Sequence, residues 1–434
     1  MSDVLRDLRR FLDASPTPYH AVGEAARRLD DAGFSRTDER EPWSLERGER
    51  GYSIRGGSLV AFQVGGRSPA EAGFRIVGAH TDSPNFRLRP LSDESREGYR
   101  QLGVEPYGGV LLHTWLDRDL SIAGRVSLAS AEGLRSVLVD FEQPLVRIPS
   151  LAIHLSREVN KEGLKLNPQQ HLVPVSGLAD APPLRELLAA ELARRRTADV
   201  AAGDILAWDL MLYDVQPACI AGARGEFLLG ARLDNLVSCH AALCALVAAG
   251  EAPGTPGFTR VVALYDHEEV GSRSASGAAG PVLAEALERI VTGFKGGAPQ
   301  ALARALSRST LISSDMAHAV HPNYADRHEA SHRPILGRGP VIKTHASQAY
   351  ATDSDTAGLF AAICARVDVT PQHFVSRSDL PCGSTIGPIT ATRLGLPAVD
   401  VGSPMLSMHS CREMAGTADV QPMIRVLESY LSGG

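Results

Sequence analysis

The chain has 434 residues, with 44 basic and 50 acidic side chains and a net charge of −6. This mild negative charge argues against a general nucleic-acid binder, which presents a basic face. With 44% apolar and 22% charged residues, the composition is typical of a globular protein and not of a disordered one. The length predicts two domains, or one domain with a large insertion.

Neither a membrane span nor a secretory leader is evident in the sequence. The most apolar long stretch, residues 236–250, is too short to cross a bilayer and contains His240. The first 20 residues alternate charged and apolar side chains and lack the apolar core of a signal peptide. The six cysteines include no CxxC pair, which is typical of free thiols in a reducing compartment. We therefore expect a cytoplasmic protein with no membrane or nucleic-acid partner.

The pattern of apolar residues changes twice along the chain. Residues 1–90 predict helices at 4–12 and 20–32 and strands at 59–64 and 74–79. Residues 91–226 predict a mostly β module with one helix at 183–196. The expected strands of this module are 109–113, 121–128, 136–141, 151–155 and 205–213.

From residue 227 onward, predicted helices and strands alternate. The helices are 236–249, 281–290, 300–306, 356–366, 384–394 and much of 410–432, and the strands are 260–265, 310–314, 373–375 and 398–401. This alternation predicts an α/β sandwich with a largely parallel or mixed sheet. Because residues 1–90 carry strands without closing a domain, we expect a discontinuous α/β domain, 1–90 plus 227–434. A β-rich domain, 91–226, is inserted into it.

Side chains of the types that bind metal ions follow four of these strands, and one more precedes a helix. They are His80 and Asp82, Glu268 and Glu269, Asp315 and His409 after strands, and Asp234 before the helix. In open α/β sheets, ligands bind at the carboxyl ends of the strands. Carboxylates and imidazoles without thiolates favour hard to borderline divalent ions. Five such ligands are enough for two ions if one carboxylate bridges them.

The adjacent Glu268 and Glu269 predict catalysis as well as binding. Neighbouring side chains on an extended chain point in different directions. One carboxylate can therefore hold a metal while the other acts as a general base toward water. Asp82, two residues beyond His80, either orients that histidine or is an ordinary turn residue before Pro84.

Six longer segments contain most of these residues or extend the pattern: 77–84, 265–272, 314–324, 339–343, 381–388 and 408–413. Together they resemble the M18 aminopeptidases, a family that includes the aspartyl aminopeptidases. The resemblance implies an exopeptidase with two zinc ions per subunit, which Mn or Co can replace. It implies one ion held by His80, Asp234 and Asp315 and another held by Asp234, Glu269 and His409. Glu268 is then the general base, supported by Asp82.

The same resemblance implies a discontinuous α/β catalytic domain of the zinc exopeptidase type with an inserted β-rich domain for oligomerisation. Family members form homo-oligomers, namely dodecamers, in which a histidine of the inserted domain reaches a neighbouring active site. The matching residue here is His154. His318, Lys343 and Tyr350 match residues of the substrate pocket.

The predicted substrates are peptides with an acidic N-terminal residue. A lysine ammonium in the pocket would pair with the side-chain carboxylate of an N-terminal Asp or Glu. Lys343 is one of only 4 Lys against 40 Arg. The family also has members that favour neutral apolar residues, and that preference stays an alternative.

Other functions compete with this interpretation. A serine hydrolase is disfavoured because the sequence contains no GxSxG. A cysteine nucleophile at Cys382 with His373 competes with a buried structural thiol at that position. A metal-dependent amidase or deacylase acting on N-acylated amino acids could use the same two ions. A non-catalytic assembly protein could also keep the metals, but it would not need the general base Glu268.

Overall fold

The structure is a computed structural model that describes residues 2–130, 133–198, 200–251, 254–294 and 299–433. The described helices, in chain order, are α1 (Asp3–Asp13), α2 (Pro18–Asp31), α3 (Pro69–Ala72), α4 (Val159–Glu162), α5 (Pro168–His171), α6 (Leu184–Arg194), α7 (Leu233–Glu251), α8 (Val282–Gly293), α9 (Ala301–Leu306), α10 (Ser354–Arg366), α11 (Ile386–Leu394) and α12 (Val420–Ser432).

The described strands, in the same order, are β1 (Ser35–Arg36), β2 (Arg50–Arg55), β3 (Ser58–Gln63), β4 (Phe74–His80), β5 (Asn85–Arg96), β6 (Tyr99–Tyr107), β7 (Leu120–Ser130), β8 (Gly133–Asp140), β9 (Val175–Leu178), β10 (Ile205–Asp214), β11 (Cys219–Ala221), β12 (Phe227–Gly230), β13 (Thr259–Tyr265), β14 (Thr310–Ser314), β15 (Ala317–His318), β16 (Val341–Thr344), β17 (Gln372–Val375), β18 (Ala398–Gly402), β19 (Pro404–Leu406) and β20 (Glu413–Gly416).

The largest sheet has nine strands in the order β1-β2-β3-β13-β4-β14-β18-β16-β17. Its central strands β13, β4, β14 and β18 are parallel. Strand β13 is apolar on both faces: Val261 and Ala263 pack into one core cluster, and Val262 and Leu264 into another. Helices α1, α2, α7, α10 and α12 cover one face, and α8, α9 and α11 cover the other. The predicted α/β sandwich is therefore confirmed.

A second sheet of six antiparallel strands, β8-β7-β10-β5-β6-β9, has its own core. Helix α6 packs on this sheet through Leu184, Leu188 and Leu192, which recur every four residues along one helical face. In this core Phe86 meets Trp115 edge-on, with ring centres 5.2 Å apart. A third sheet of five short strands, β11-β12-β20-β19-β15, completes the described strands.

Some of the predicted elements are wrong. Residues 112–115 and 153–155 form 3-10 helices in place of the strands expected at 109–113 and 151–155. The long strands β5 and β6 were not predicted because exposed charged residues interrupt their apolar pattern. The last helix begins only at Val420 because the residues before it form β20.

The division into domains stays a prediction. Strands within residues 35–80 and 259–402 share the nine-stranded sheet, and strands within 85–214 form the six-stranded sheet. The expected boundary between residues 90 and 91 falls inside β5.

Helix α7 is the most apolar long helix among the described residues. Its 19 residues are enough in length and composition to cross a membrane, but 83% of its most apolar window is buried inside the protein. It packs against β4, β13 and α12. Such burial is what a core helix requires.

Candidate active site

Three neighbouring parallel strands bring acidic and histidine side chains to one edge of the large sheet. His80 ends β4, the 3-10 turn Glu268–Val270 follows β13, and Asp315 follows β14. The register aligns Tyr265 of β13 with His80, so the two strands end together. This is the edge where open parallel sheets bind ligands.

Asp234 and His409 reach the same place from irregular segments. Asp234 is not helical (φ −82°, ψ 104°), and neither is Asn235, so the regular part of α7 begins after them. The sequence predicts that His409 follows the strand at residues 398–402, but His409 does not directly follow this strand of the large sheet. The chain first forms β19 of the five-stranded sheet and then turns at His409 with φ 67°.

Two glycines after β6 allow the six-stranded sheet to touch this cluster. A Cβ on Gly108 would lie 3.0 Å from Glu269 Cβ, and a Cβ on Gly109 would lie 3.0 Å from His409 Nδ1. Gly108 also has φ +72°, which favours glycine. The carbonyl of Gly109 accepts a hydrogen bond from His409 Nδ1 at 3.1 Å, if that nitrogen carries the proton.

The carboxylate of Asp234 stands between two groups of ligand-type atoms. Its Oδ1 lies 3.4 Å from His80 Nε2, which is 3.3 Å from Asp315 Oδ1. Its Oδ2 lies 3.5 Å from His409 Nε2, which is 3.3 Å from Glu269 Oε2. Each oxygen of Asp234 thus faces a different pair of side chains. Asp234 forms a trio with each pair, and within each trio the ligand atoms lie within 4.8 Å of one another.

Lone pairs and charge in this cluster are only partly balanced by protein groups. Although burial raises the pKa of Asp234, the hydrogen bonds from His409 and His80 hold it well below its ordinary value. Asp234 Oδ1 and Glu269 Oε1 are buried without a hydrogen-bond partner among the described residues. Burial, reinforced by the charge of Asp315, raises the pKa of Glu268 to about 8. Burial and Asp234 raise the pKa of Glu269 well above its ordinary value. Added cations would favour the ionised carboxylates, and imidazole nitrogens with carboxylate oxygens are ligands that zinc accepts. The residues present therefore fit zinc.

Asp82 organises this edge from beneath. It is fully buried, and its two oxygens accept the backbone N–H groups of Glu268 at 3.0 Å and Glu269 at 3.1 Å. The hydroxyl of Tyr107, from β6, donates to Asp82 Oδ2 at 2.6 Å. Its Oδ1 also lies 3.5 Å from His80 Nδ1. Asp82 therefore orients both glutamates and the histidine.

Tyr107 and Glu413 were not predicted as site residues. Glu413 is buried, and its carboxylate accepts the backbone N–H groups of Asp234 at 3.0 Å and His409 at 2.7 Å. Burial raises the pKa of this carboxyl group to about 8. Glu413 lies four residues after His409 in the sequence, and this closeness to a predicted ligand is the signal that could have indicated it. The sequence analysis predicts helix for this segment instead. For Tyr107 the sequence carries no comparable signal.

A cavity of about 490 Å³ lies over the cluster, and Lys343, Tyr350 and His318 line it beside the ligand-type residues. Lys343 is buried, and its ammonium lies 3.5 Å from Asp315 Oδ2 and donates to the carbonyl of Met316 at 3.2 Å. It also lies 5.2 Å from the ring centre of Tyr350. Burial and the charge of Lys343 lower the pKa of His318.

His154 lies apart from this cavity. It belongs to the exposed 3-10 helix Ile153–Leu155 and is not among the described residues that line the cavity. Leu151, Ile153 and Leu155 around it are exposed as well. Its predicted role at a neighbouring subunit's site stays a prediction.

Comparison with known proteins agrees with the resemblance seen in the sequence. The family model described as Aminopeptidase I zinc metalloprotease (M18) matches residues 11–431. A probable M18 family aminopeptidase 2 from Azotobacter vinelandii is 49% identical over 426 residues, which cover 97% of this chain and 96% of that protein.

Solved structures show the same similarity. A chain in the cryo-EM structure of the Ape4 and Nbr1 complex has a TM-score of 0.96 at 39% identity, covering 99% of this chain and 85% of its own length. A chain of the S. cerevisiae mApe1 dodecamer has a TM-score of 0.87 at 30% identity, with 99% and 96% covered. Because the family match extends over nearly the whole length, this chain belongs to the M18 family and is a zinc aminopeptidase, a hydrolase that acts on peptide bonds.

Proposed function

We propose that this aminopeptidase holds two zinc ions that share Asp234. His80 and Asp315 complete one site, and Glu269 and His409 complete the other. The observation that carries this proposal is the Asp234 carboxylate, whose two oxygens face two different trios of ligand-type atoms. When bound, zinc supplies Lewis-acid polarisation of a carbonyl group and acidification of water.

Glu268 is the proposed general base. It lines the cavity next to both trios and belongs to neither of them. A ligand-type oxygen of Glu268 also lies within 4.8 Å of ligand atoms of His80 and Glu269, so the carboxylate is close to both proposed ions. Asp82 fixes the turn that carries Glu268 by accepting its N–H. The Glu268 carboxylate takes a proton from the attacking water and returns it to the nitrogen of the leaving amine.

Acidic N-terminal residues are the proposed substrate class. The buried ammonium of Lys343 lines the cavity, and a substrate carboxylate reaching it would gain a charge-assisted hydrogen bond. Asp315 already lies 3.5 Å from this ammonium. If Asp315 serves a cation as proposed, its negative charge is neutralised and Lys343 is left to attract the substrate. Neutral apolar residues remain the alternative preference.

Homo-oligomerisation is part of the same proposal. The related mApe1 of S. cerevisiae is a dodecamer. We place the exposed His154 segment of this chain at a contact between copies, where its imidazole donates to the oxyanion in a neighbouring subunit. The proposed setting is cytoplasmic, with a catalytic unit of residues 1–90 and 227–434 and an inserted unit of residues 91–226.

Release of free amino acids from dipeptides tests this function. The panel has Asp, Glu, Leu or Lys in front, each with and without N-acetylation, before and after chelation. We expect chelator-sensitive cleavage of the free Asp and Glu peptides. Preference for Leu would remove Lys343 as the selector. Cleavage of acetylated substrates would favour the amidase or deacylase, and activity that survives chelation would contradict the zinc mechanism.

A further inference from the structure

Two further cavities share lining residues with the catalytic cavity. His318, Tyr350 and Gly383 also line a recess of about 240 Å³ that includes Phe374. Gly271 and Ser384 line both the catalytic cavity and a larger cavity of about 810 Å³. We call this larger cavity, with Val270, Arg273, Ala279, Pro388, Ile389 and Arg393 in its wall, the second groove.

The second groove combines apolar walls with two free cations. Val270, Pro388 and Ile389 give it an apolar surface, and Val270 is 53% exposed. The guanidinium groups of Arg273 and Arg393 belong to exposed residues of the same groove. Within the described part of the chain, neither guanidinium has a hydrogen-bond or ion-pair partner.

The position of Glu268 decides which part of a peptide this groove would meet. Val270 and Gly271 come two and three residues after Glu268 in the turn after β13, and both line the second groove. In the proposed mechanism Glu268 delivers a proton to the leaving nitrogen, so the leaving part of the peptide begins beside this turn. In the proposed function the N-terminal side chain lies beside Lys343 and Tyr350, which line the catalytic cavity but are not among the described residues of the second groove.

We propose that the second groove binds the residues that follow the scissile bond. Apolar side chains of the substrate would pack on Val270, Pro388 and Ile389, and the C-terminal carboxylate of a short peptide would pair with Arg273 and Arg393. Charge complementarity and continuity with the catalytic cavity both support this occupant. A volume of about 810 Å³ is in the range that peptide-sized ligands occupy. The inference rests on the proposed function. It specifies that the enzyme prefers short peptides with an apolar residue after the cleaved bond.

Matched peptides test the groove directly. Each pair has the sequence Xaa-Leu-Phe, once with a free C-terminal carboxylate and once as the carboxamide. Xaa is the residue that the wild-type enzyme releases fastest from an amino acid p-nitroanilide, which has no residue after the cleaved bond. The readout is the ratio of kcat/KM for the acid to kcat/KM for the amide, which cancels any general loss of activity.

For the wild-type enzyme we expect a ratio of about 5, the effect of exposed ion pairs of ordinary strength. The double variant R273Q/R393Q should lower the ratio to about 1. The matched control is Arg338→Gln, which changes an exposed arginine outside the cavities described above and should keep the wild-type ratio.

A ratio of 1 in the wild-type enzyme, or an unchanged ratio in the double variant, would overturn the proposal that the second groove binds the leaving part of the peptide. Chelator-sensitive hydrolysis of the p-nitroanilide in the same preparation would then leave the aminopeptidase mechanism standing. Failure to hydrolyse both the anilide and the peptides would overturn the mechanism and the groove together. A change in the mass of the double variant in solution would assign the groove to a contact between copies of this chain and also overturn the inference.

Discussion

Two regions of the described chain gather metal-ligand side chains, and they differ in how their charge is balanced. In the catalytic cavity, Asp234 and Glu269 each keep a buried oxygen without a hydrogen-bond partner from the described residues. In the second region, Asp7 of α1 meets His240 and Cys244 of α7, again with ligand atoms within 4.8 Å. There the same oxygen of Asp7 lies 2.6 Å from Arg28 Nη1 and 2.8 Å from His240 Nε2.

The pKa shifts follow this difference at the two glutamates but not at Asp234, whose pKa is held well below its ordinary value by His409 and His80 although burial raises it. Burial raises the pKa values of Glu268 and Glu269, because protein groups do not neutralise them sufficiently. The hydrogen bonds from His240 and Arg28 instead hold the pKa of Asp7 well below its ordinary range. We therefore expect that proximity of ligand types alone does not make a metal site. A site also needs lone pairs and negative charge that the protein leaves uncompensated.

The largest expected effect is a loss of zinc, which we expect from a substitution in the catalytic cavity but not from the same substitution in the second region. Asp234→Asn removes the carboxylate shared by both proposed ions, and we expect zinc content and turnover to fall together, turnover by at least about 10³-fold. Asp7→Asn makes the same chemical change in the second region, where Arg28 and His240 already neutralise the carboxylate. It should leave zinc content and turnover unchanged. Zinc per subunit measured by elemental analysis and kcat for both variants check the comparison. Zinc lost on Asp7→Asn would show that the second region also binds metal.

Glu268→Gln should separate catalysis from binding within the catalytic cavity. We expect wild-type zinc content and a loss of kcat of about 10³-fold, because the amide cannot carry the proton. Stoichiometric zinc analysis and dipeptide hydrolysis measure the two properties on one preparation. The control is Glu428→Gln on α12, outside the cavity, which should retain activity. Full activity of Glu268→Gln would remove Glu268 from the mechanism.

The residues at the strand ends could be predicted from the sequence, but the contacts that hold these residues in place could not. His80, Glu268 and Asp315 could be predicted because the period of the apolar residues marks where each parallel strand stops. The support from Tyr107 and Glu413 could not, because it comes from other sheets. Strand β6, which carries Tyr107, has an irregular apolar pattern. The pairing of β20 with β12, which places Glu413 beneath Asp234, depends on residues 183 positions apart, as Gly230 and Glu413 show.

A smaller effect on kcat is expected from substitution of His154. This variant tests whether a neighbouring subunit contributes a residue to the catalytic cavity. His154→Ala should lower kcat by about 10²-fold, the usual cost of one oxyanion donor, without loss of zinc. Co-assembly of His154→Ala with Glu268→Gln subunits offers a sharper measurement. If the imidazole acts across subunits, some sites receive an intact Glu268 and an intact His154, and activity returns. Wild-type kcat in His154→Ala, or no recovery on mixing, would contradict this role.

The smallest expected effect concerns the second region, where the ligand-type residues stabilise the fold. Although burial disfavours its charged form, the hydrogen bond to Asp7 raises the pKa of His240. The stabilisation from protonated His240 is therefore complete below its unfolded pKa of about 6.5 and disappears as pH rises through the folded value. The stabilisation from ionised Asp7 is present above its unfolded pKa of about 3.9 and disappears as pH falls through the lower folded value.

Asp7→Asn should therefore destabilise the zinc-loaded protein most between about pH 4 and 6.5. Because Asp7 is half-exposed, we expect a cost of about 1 kcal/mol, or a thermal midpoint lowered by about 1–2 °C. The deficit should shrink as pH rises through the raised folded pKa of His240, because above it only the pairing with Arg28 is lost. Asp31→Asn, which breaks an exposed pair with Arg27, is the matched control and should show no change of deficit over this range. A deficit for Asp7→Asn that stays constant from pH 5.5 to pH 9 would show that His240 does not carry a proton in this pair, and the charge balance that distinguishes the two regions would then rest on Arg28 alone.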